Sequence, residues 1–293
     1  MKKGFFYKLG KKILILLFNV FRKKKMTKFY FRFFLKYKPN LKNPKTFNEK
    51  LCWLKLYYFP YQDDVVRCAD KYLVREYIEK AGFGEYLNEL YGVWDDARQI
   101  DFDKLPERFV LKCTHGSTYN IICADKKSLD IKKTVRQLNK WLKEDYGKFF
   151  AETHYRKTKR RIICEKYLGG AMSNYKFFCF NGEPEFMYLS RGILAEGGIK
   201  TAHFDKNKQP APFWRHEFPK LENAELPASF DDMQSMSAAL SKAFPFVRMD
   251  WFDVDGKIYF SEMTFTPTAA YCRFVPREYD KTFGELLDIK GLT

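Results

Sequence analysis

Three short stretches put charged residues where an apolar run would otherwise continue. In "RFVLKCTHGSTYNIIC" (108–123), Lys112 ends an apolar run and is followed by His115, Gly116 and Ser117. A lysine at a strand end supplies a point charge, and a small-residue loop behind it exposes backbone N–H groups; together they suit a polyphosphate. The same residues also read as an edge-strand lysine before a hairpin turn. In "RIICEKYLGG" (161–170), an apolar strand runs into Glu165 and turns at Gly169 and Gly170. Such a strand can offer backbone groups to an adenine edge and a carboxylate to its exocyclic amine.

The third stretch, "VRMDWFDVDGKIYFSEMTFTP" (247–267), reads as two strands around an Asp-Gly turn, with Asp250, Glu262 and Thr264 polar among apolar neighbours. Glu262 and Thr264 share a face because strand side chains alternate with period two. A two-residue loop at Asp255-Gly256 sets Asp250 opposite Ser261. A three-residue loop, Val254-Asp255-Gly256, puts Asp250 and Glu262 on one face with Arg248 directly across from Glu262. The three-residue loop is expected. Converging carboxylates there suit Mg²⁺, which binds through one or two carboxylates plus nucleotide phosphates.

These stretches need strands to carry them. Short apolar runs at 109–113, 119–123, 162–167, 175–180 and 185–189 alternate with turns, and a helical stretch, "KKTVRQLNKWLKEDYGKFF", lies between the second and third. Upstream, "NLKNPKTFNEKLCWLKLYY" predicts a turn and then a helix with Leu51, Leu54 and Tyr58 on one face. "DDVVRCADKYLVREYIEKAG" predicts one further helix, stopped at Gly82. The expected class is α+β, with mostly antiparallel strands after a mainly helical first hundred residues. The seven cysteines are odd in number, scattered and without a CxxC pair; they read as reduced core thiols of a cytoplasmic protein.

The net charge of +17 is not spread evenly. Residues 1–50 hold sixteen Lys or Arg against the single acid Glu49, leaving the rest of the chain at +2. Within that segment Phe5, Phe6, Leu9, Ile13, Leu16, Leu17, Val20 and Phe21 recur at helical spacing among lysines, the pattern of a helix lying in a membrane interface. The uninterrupted apolar run, 13–18, is far short of the roughly 20 residues that span a bilayer, and "RKKKM" follows where a cleavage site would be expected. Residues 1–38 are therefore expected to touch an anionic inner-membrane surface as a peripheral segment, on the cytoplasmic face, and no nucleic-acid partner is expected. Packing of the same helices on the body of the protein is the alternative.

In order along the chain, "ADKYLVREY", "FVLKCTHGS", "IICEKYL" and "RMDWFDVDGKIYFSEMT" resemble the ATP-grasp superfamily. Closer still, "NPKTFNEKLCWLKL", "ADKYLVREY", "LKCTHGS", "YKFFCFNGEPEF" and the final hairpin resemble the TupA-like ATP-grasp proteins of bacterial surface-polysaccharide biosynthesis, from about Asn40 to the C-terminus. The resemblance implies an ATP-grasp fold of two α+β subdomains sandwiching ATP, behind a basic helical N-terminal segment. The expected divisions are a membrane-surface segment 1–39, a mainly helical part 40–105, a small subdomain 106–170, and a large subdomain 171–293 with the metal-binding hairpin.

The resemblance further implies ATP and Mg²⁺ as cofactors and a carboxylate–amine ligase that works through an acyl phosphate on an acidic glycan, amino acid or other amine. By residue, it implies that Lys71 and Lys112 meet the phosphates, with Lys176 also on the nucleotide. Gly116 and Ser117 would form the covering loop, with His115 touching a phosphate through it, and Glu165 with the Tyr167 and Leu168 backbone would hold adenine. Asp250, Glu262 and Thr264 would bind metal, and Arg248 with Lys112 would be catalytic. Thr264 stands where the superfamily usually has asparagine, and "PTAAY" replaces a glycine-containing segment. Arg191, Lys200 and Arg273 are candidates for an acidic acceptor. The rival reading is a glycosyltransferase, because Asp253-Val254-Asp255 matches a short metal-binding acidic pattern.

Overall fold

The computed structural model describes residues 23–169, 172–192 and 198–292. The apolar stripe before Arg22 lies outside them. The chain enters through helix α1 (Lys23–Leu35), α2 (Phe47–Tyr57), α3 (Asp63–Ala69) and α4 (Val74–Lys80). Thr46 caps α2 from its side chain while Glu49 reaches back to the cap, a reciprocal capping box. The stretch read as one helix from 63 to 82 is two, because the Asp70 carboxylate accepts from the backbone N–H of Tyr72 (2.8 Å) and Leu73 (3.1 Å) and competes with the helix. That break sets Lys71 at a corner instead of on a helix flank.

Two antiparallel sheets follow. The first has strand order β1 (Leu90–Trp94), β4 (Ile162–Lys166), β2 (Phe109–Cys113), β3 (Asn120–Cys123), and α5 (Ile131–Lys143) packs on it. Its edge strand β1 comes from the part expected to be helical, so this sheet begins at Leu90, not at 106. The second has order β10 (Lys257–Thr264), β9 (Phe246–Val254), β5 (Ser173–Phe180), β6 (Glu183–Arg191), β7 (Lys200–Asp205). It is backed by α6 (Phe230–Ser241), and α7 (Tyr279–Leu286) packs against α2 near the C-terminus. A two-stranded ribbon pairs β8 (Trp214–Arg215) with β11 (Phe274–Val275).

Alternation decides which side chains reach the space between the sheets. In β2, Phe109, Leu111 and Cys113 are fully buried in the small sheet's own core, so Val110 and Lys112 point the other way. Glu165 pairs with Val110 and therefore shares that face. The larger core runs from α1 and α2 through β5, β6 and β9 to α7. All seven cysteines are buried and free.

Candidate active site

The hairpin of β9 and β10 differs from expectation in a way that preserves its outcome. Val254 pairs with Lys257, so the loop is the two residues Asp255 and Gly256. Both are left-handed, at φ 53° and 81°, as a two-residue turn that follows strand twist requires. A β-bulge between Phe260 and Glu262 then leaves Ser261 without a partner and moves the register by one. Asp250 thus faces Glu262, and Arg248 faces Thr264, not Glu262. The three-residue loop was the wrong cause of a correct convergence.

The Arg248 guanidinium is the hub of this face. Its Nε donates to Asp250 Oδ1 at 2.6 Å, and one Nη donates to Asp250 Oδ2 (2.7 Å), Glu262 Oε1 (3.0 Å) and Thr264 Oγ1 (3.0 Å). Lys176, paired with Asp250 across β5 and β9, donates to the same carboxylate. Burial works against ionisation of Glu262, but the charges of Lys71, Arg248 and Lys176, with the Thr264 hydroxyl, outweigh it and hold the carboxyl down to about 2. Glu262 is 31% exposed, whereas Asp250 has no exposed surface. Among the described residues no group of three His, Cys, Asp or Glu side chains stands ready to hold a metal ion. The donor set fits Mg²⁺ held through Glu262, the Thr264 hydroxyl and phosphate oxygens, the pattern in which one carboxylate suffices. Asp250, the other expected ligand, has its two oxygens bonded to Arg248 and Lys176.

Across the cleft, Lys112 Nζ donates to Glu165 Oε2 at 2.6 Å, and Arg75 approaches Glu165 Oε1 at 3.4 Å. Lys71 Nζ donates to the Gly116 carbonyl at 2.6 Å, tying the 114–118 loop to the α3–α4 corner. Gly116 has φ 112°, and a Cβ there would fall 2.5 Å from the Tyr146 ring, so only glycine lets the loop lie on Tyr146. Lys71, Lys112, Ser117, Glu165, Tyr167, Leu168, Ser261 and Glu262 surround one cavity between the sheets. His115 is not among its walls. Its side chain is buried with Nε2 against the Trp141 carbonyl at 3.1 Å, and burial pulls its pKa down to about 4, so it packs the loop's base and does not face a phosphate. Lys176 likewise reaches the site through Asp250.

A second cavity lies on the other side of Glu262. Ser117 and Glu262 line both, and Arg248, Thr264, Glu152, Tyr155, Glu217 and Arg273 belong to the second. Of the three basic residues considered for an acceptor, only Arg273 reaches it; Arg191 and Lys200 face each other at the far ends of β6 and β7. The floor is the 268–270 segment, where Thr268, Ala269 and Ala270 are all left-handed. That strained run is held from beneath. The fully buried Lys55 of α2 donates to the Ala269 carbonyl (2.7 Å), and Asn48 exchanges two hydrogen bonds with the Cys272 backbone (2.7 and 2.8 Å). The "NPKTFNEKLCWLKL" motif therefore shapes the second cavity from behind. Arg75, Glu152 and Glu217 were not singled out in the sequence, where nothing distinguishes them from surface charges.

The acidic Asp253-Val254-Asp255 pattern has a structural use. Asp253 Oδ1 accepts from the Gly256 N–H at 3.0 Å and closes the turn, its other oxygen takes the Ser229 hydroxyl, and Asp255 is the left-handed turn residue.

A family described as TupA-like ATPgrasp matches residues 49–288. Among solved structures, the chain is similar to the D-alanine–D-alanine ligase of Bacillus anthracis (18% identity, 78% of this chain and 68% of that one, TM-score 0.48). It is also similar to the corresponding ligase of Helicobacter pylori (16% identity, 82% and 68%, TM-score 0.46). A third similarity is to an L-amino acid ligase of Bacillus licheniformis (14% identity, 79% and 51%, TM-score 0.46), about half of whose length the chain spans. No curated protein sequence matches the chain.

Proposed function

Because the chain belongs to the TupA-like ATP-grasp family, we propose that it is an ATP-dependent carboxylate–amine ligase whose two substrates meet at the Glu262–Arg248 boundary. The observation that carries this reading is the pair of cavities sharing Ser117 and Glu262, one walled by Lys71, Lys112 and Glu165 and the other by Arg248 and Arg273. ATP occupies the first, with its phosphates toward Lys71 and Lys112 and its adenine along Tyr167 and Leu168. A substrate carboxylate in the second attacks the γ-phosphorus, the bond to ADP breaks, and an acyl phosphate forms. An amine nitrogen then attacks the acyl carbon, phosphate leaves, and the nitrogen loses a proton. The protein supplies position and charge: Arg248, already fixed by Asp250, meets the charge that builds on the transferring group without reorganising. Glu262 and the Thr264 hydroxyl would hold Mg²⁺, which would neutralise the triphosphate.

The finer reading assigns the acceptor to surface-polysaccharide assembly, with an amino acid or other amine joined to a carboxylated glycan, and residues 1–38 resting on the cytoplasmic membrane surface. Support for the membrane contact is the basic outer face of α1 (Lys25, Lys28 and Arg32). No helix among the described residues is long and apolar enough to cross a bilayer. The test is a screen of amines against carboxylated glycans, with ADP and phosphate measured together and hydroxylamine added as a trap. Stoichiometric ADP, phosphate and a hydroxamate are expected. A product formed from a nucleotide sugar without ATP consumption would replace this reading with glycosyl transfer, which the turn-closing role of Asp253 does not favour.

A further inference from the structure

The second cavity has an outer wall that phosphoryl transfer does not require. Helix α1 turns Met26, Thr27, Tyr30 and Phe31 into the core and leaves Phe29 and Phe33 55% and 58% exposed. The exposed rings are not isolated. Phe29 stacks on Phe33 at 6.4 Å, Phe33 meets Phe34 edge-on at 5.1 Å, and Phe34 stacks on Tyr271 at 5.5 Å and meets Phe150 at 6.2 Å. Phe34, Phe150 and Tyr271 are walls of the second cavity. A continuous run of aromatic rings therefore leads from open solvent to within reach of Arg248 and Arg273.

The surroundings of this run change along its length. At its outer end, Lys25, Lys28 and Arg32 frame Phe29 and Phe33 in one surface depression, and α1 contains no acidic residue at all. Aromatic rings flanked only by cations suit an interface of anionic headgroups over acyl chains. At its inner end the walls become polar, with Arg273, Glu217, Arg248 and Glu262. One molecule would match both ends: an amphiphile with a polar head and an apolar tail.

We propose that the second cavity receives the polar head of a membrane-anchored substrate, whose apolar tail passes along Phe34, Phe33 and Phe29 into an anionic bilayer on which α1 rests. This builds on the reading of the second cavity as the acceptor side of a ligase. Phe33 and Phe34 are neighbours in sequence whose rings meet at 5.1 Å, Phe33 exposed and Phe34 in the cavity wall, so α1 is at once the contact with the membrane and the doorpost of the cavity. Substrate would then arrive laterally from the bilayer, without leaving it.

The test uses the full chain, with phosphatidylglycerol or phosphatidylcholine vesicles in flotation, and dansylaminoundecanoic acid as a fluorescent carboxylate-headed amphiphile. The wild-type chain should float with the anionic vesicles only and bind the amphiphile saturably. The double variant Phe29→Ser, Phe33→Ser, changed only at exposed positions, should lose about 100-fold in both, since burying each of the two rings is worth about tenfold or more. Its affinity for ATP with Mg²⁺, measured by calorimetry, should not change. Equal flotation with both lipids, or unchanged amphiphile binding by the variant, would overturn the proposal and give the face to a protein partner or to the chain's own N-terminal segment. Amphiphile binding by a wild-type chain that fails to bind ATP would instead sink the ligase reading and leave the track standing.

Discussion

Glu165 on the four-stranded sheet and Asp250 on the five-stranded sheet are both carboxylates held by one lysine and one arginine, and they face different demands. Glu165 and its partner Lys112 stand on the wall of the cleft, with the lysine side chain 22% exposed and Arg75 at 3.4 Å. Asp250 is wholly buried and receives two short bonds from Arg248 and a third from Lys176. The first arrangement can open, because water or a phosphate can replace either partner. The second cannot, because a buried cation that loses its carboxylate has nowhere to turn. The small sheet thus carries a grip that rearranges around a ligand, and the large sheet carries a frame that holds an arginine ready.

The sharpest way to break the comparison is to remove each carboxylate. Asp250→Ala leaves Arg248 and Lys176 buried without their common partner and should cost about 3–5 kcal/mol of stability in denaturant melts. Glu165→Ala, whose partners Lys112 and Arg75 keep 22% and 16% of their side chains exposed and line the cleft, should cost less, about 1–2 kcal/mol. Equal losses would mean that the two clusters are one kind. Glu262→Gln keeps hydrogen-bonding capacity at a 31% exposed side chain, so melting should move by less than about 1 kcal/mol. ADP release should fall about 100-fold, the scale on which losing one transition-state contact is felt, and chelating divalent cations with EDTA should weaken ATP binding in the wild type much more than in this variant.

What the sequence disclosed follows the same division. Lys112 and Glu165 were legible because each interrupts an apolar run on a strand whose alternation points it one way, and such local patterns survive without tertiary knowledge. The Asp250–Glu262 convergence was legible only in result. Turn length and a bulge each shift register by one residue, so a longer loop and a shorter loop with a bulge at Ser261 give the same face, and period-two patterning cannot tell them apart. Strand β1 was missed because all five of its residues are partly exposed and it lacks an apolar alternation. His115 was misassigned because its place beside Gly116 in the chain says nothing of its turn toward Trp141. Of Phe34, Tyr155, Glu217, Arg248 and Arg273 around the second cavity, only Arg248 and Arg273 were named from the sequence, because these residues come from separate elements that only the packed core brings together.

Acid should expose a further difference between the regions. His154, behind the second cavity, is fully buried and neither ring nitrogen has a hydrogen-bond partner. Burial, helped by the Lys55 charge, pulls its pKa down to about 3. The folded protein therefore keeps it neutral while the unfolded chain takes up a proton below about 6.5, so its contribution is present above that pH and is lost as pH falls toward 3. Between pH 6.5 and pH 5 this amounts to roughly 2 kcal/mol. In His154→Phe, the fall in stability over that interval should be shallower by about that amount, as read from melts at each pH. An unchanged slope would mean that water reaches the ring.

The smallest effect bears most directly on whether the Lys112 grip is made to let go. Lys112→Ala should weaken ATP binding about tenfold, the loss of one charge-assisted contact to phosphate, while stability changes by no more than about 1 kcal/mol because the lysine lies on the cleft side of β2 and not in its core. A double-mutant cycle with Glu165→Gln separates two accounts of that lysine. If its purpose were the ion pair, the coupling between the two substitutions would be large in the free protein and unchanged by nucleotide. If the pair is a resting contact that a phosphate displaces, coupling in stability should be about 0.5–1 kcal/mol without ATP and should fall toward zero when ATP and Mg²⁺ saturate the chain. The same cycle on Asp250 and Lys176 should keep its coupling in both conditions, since no ligand reaches a carboxylate with no exposed surface. A Lys112–Glu165 coupling that persists with nucleotide bound would place both clusters in the frame and leave the ATP phosphates to Lys71.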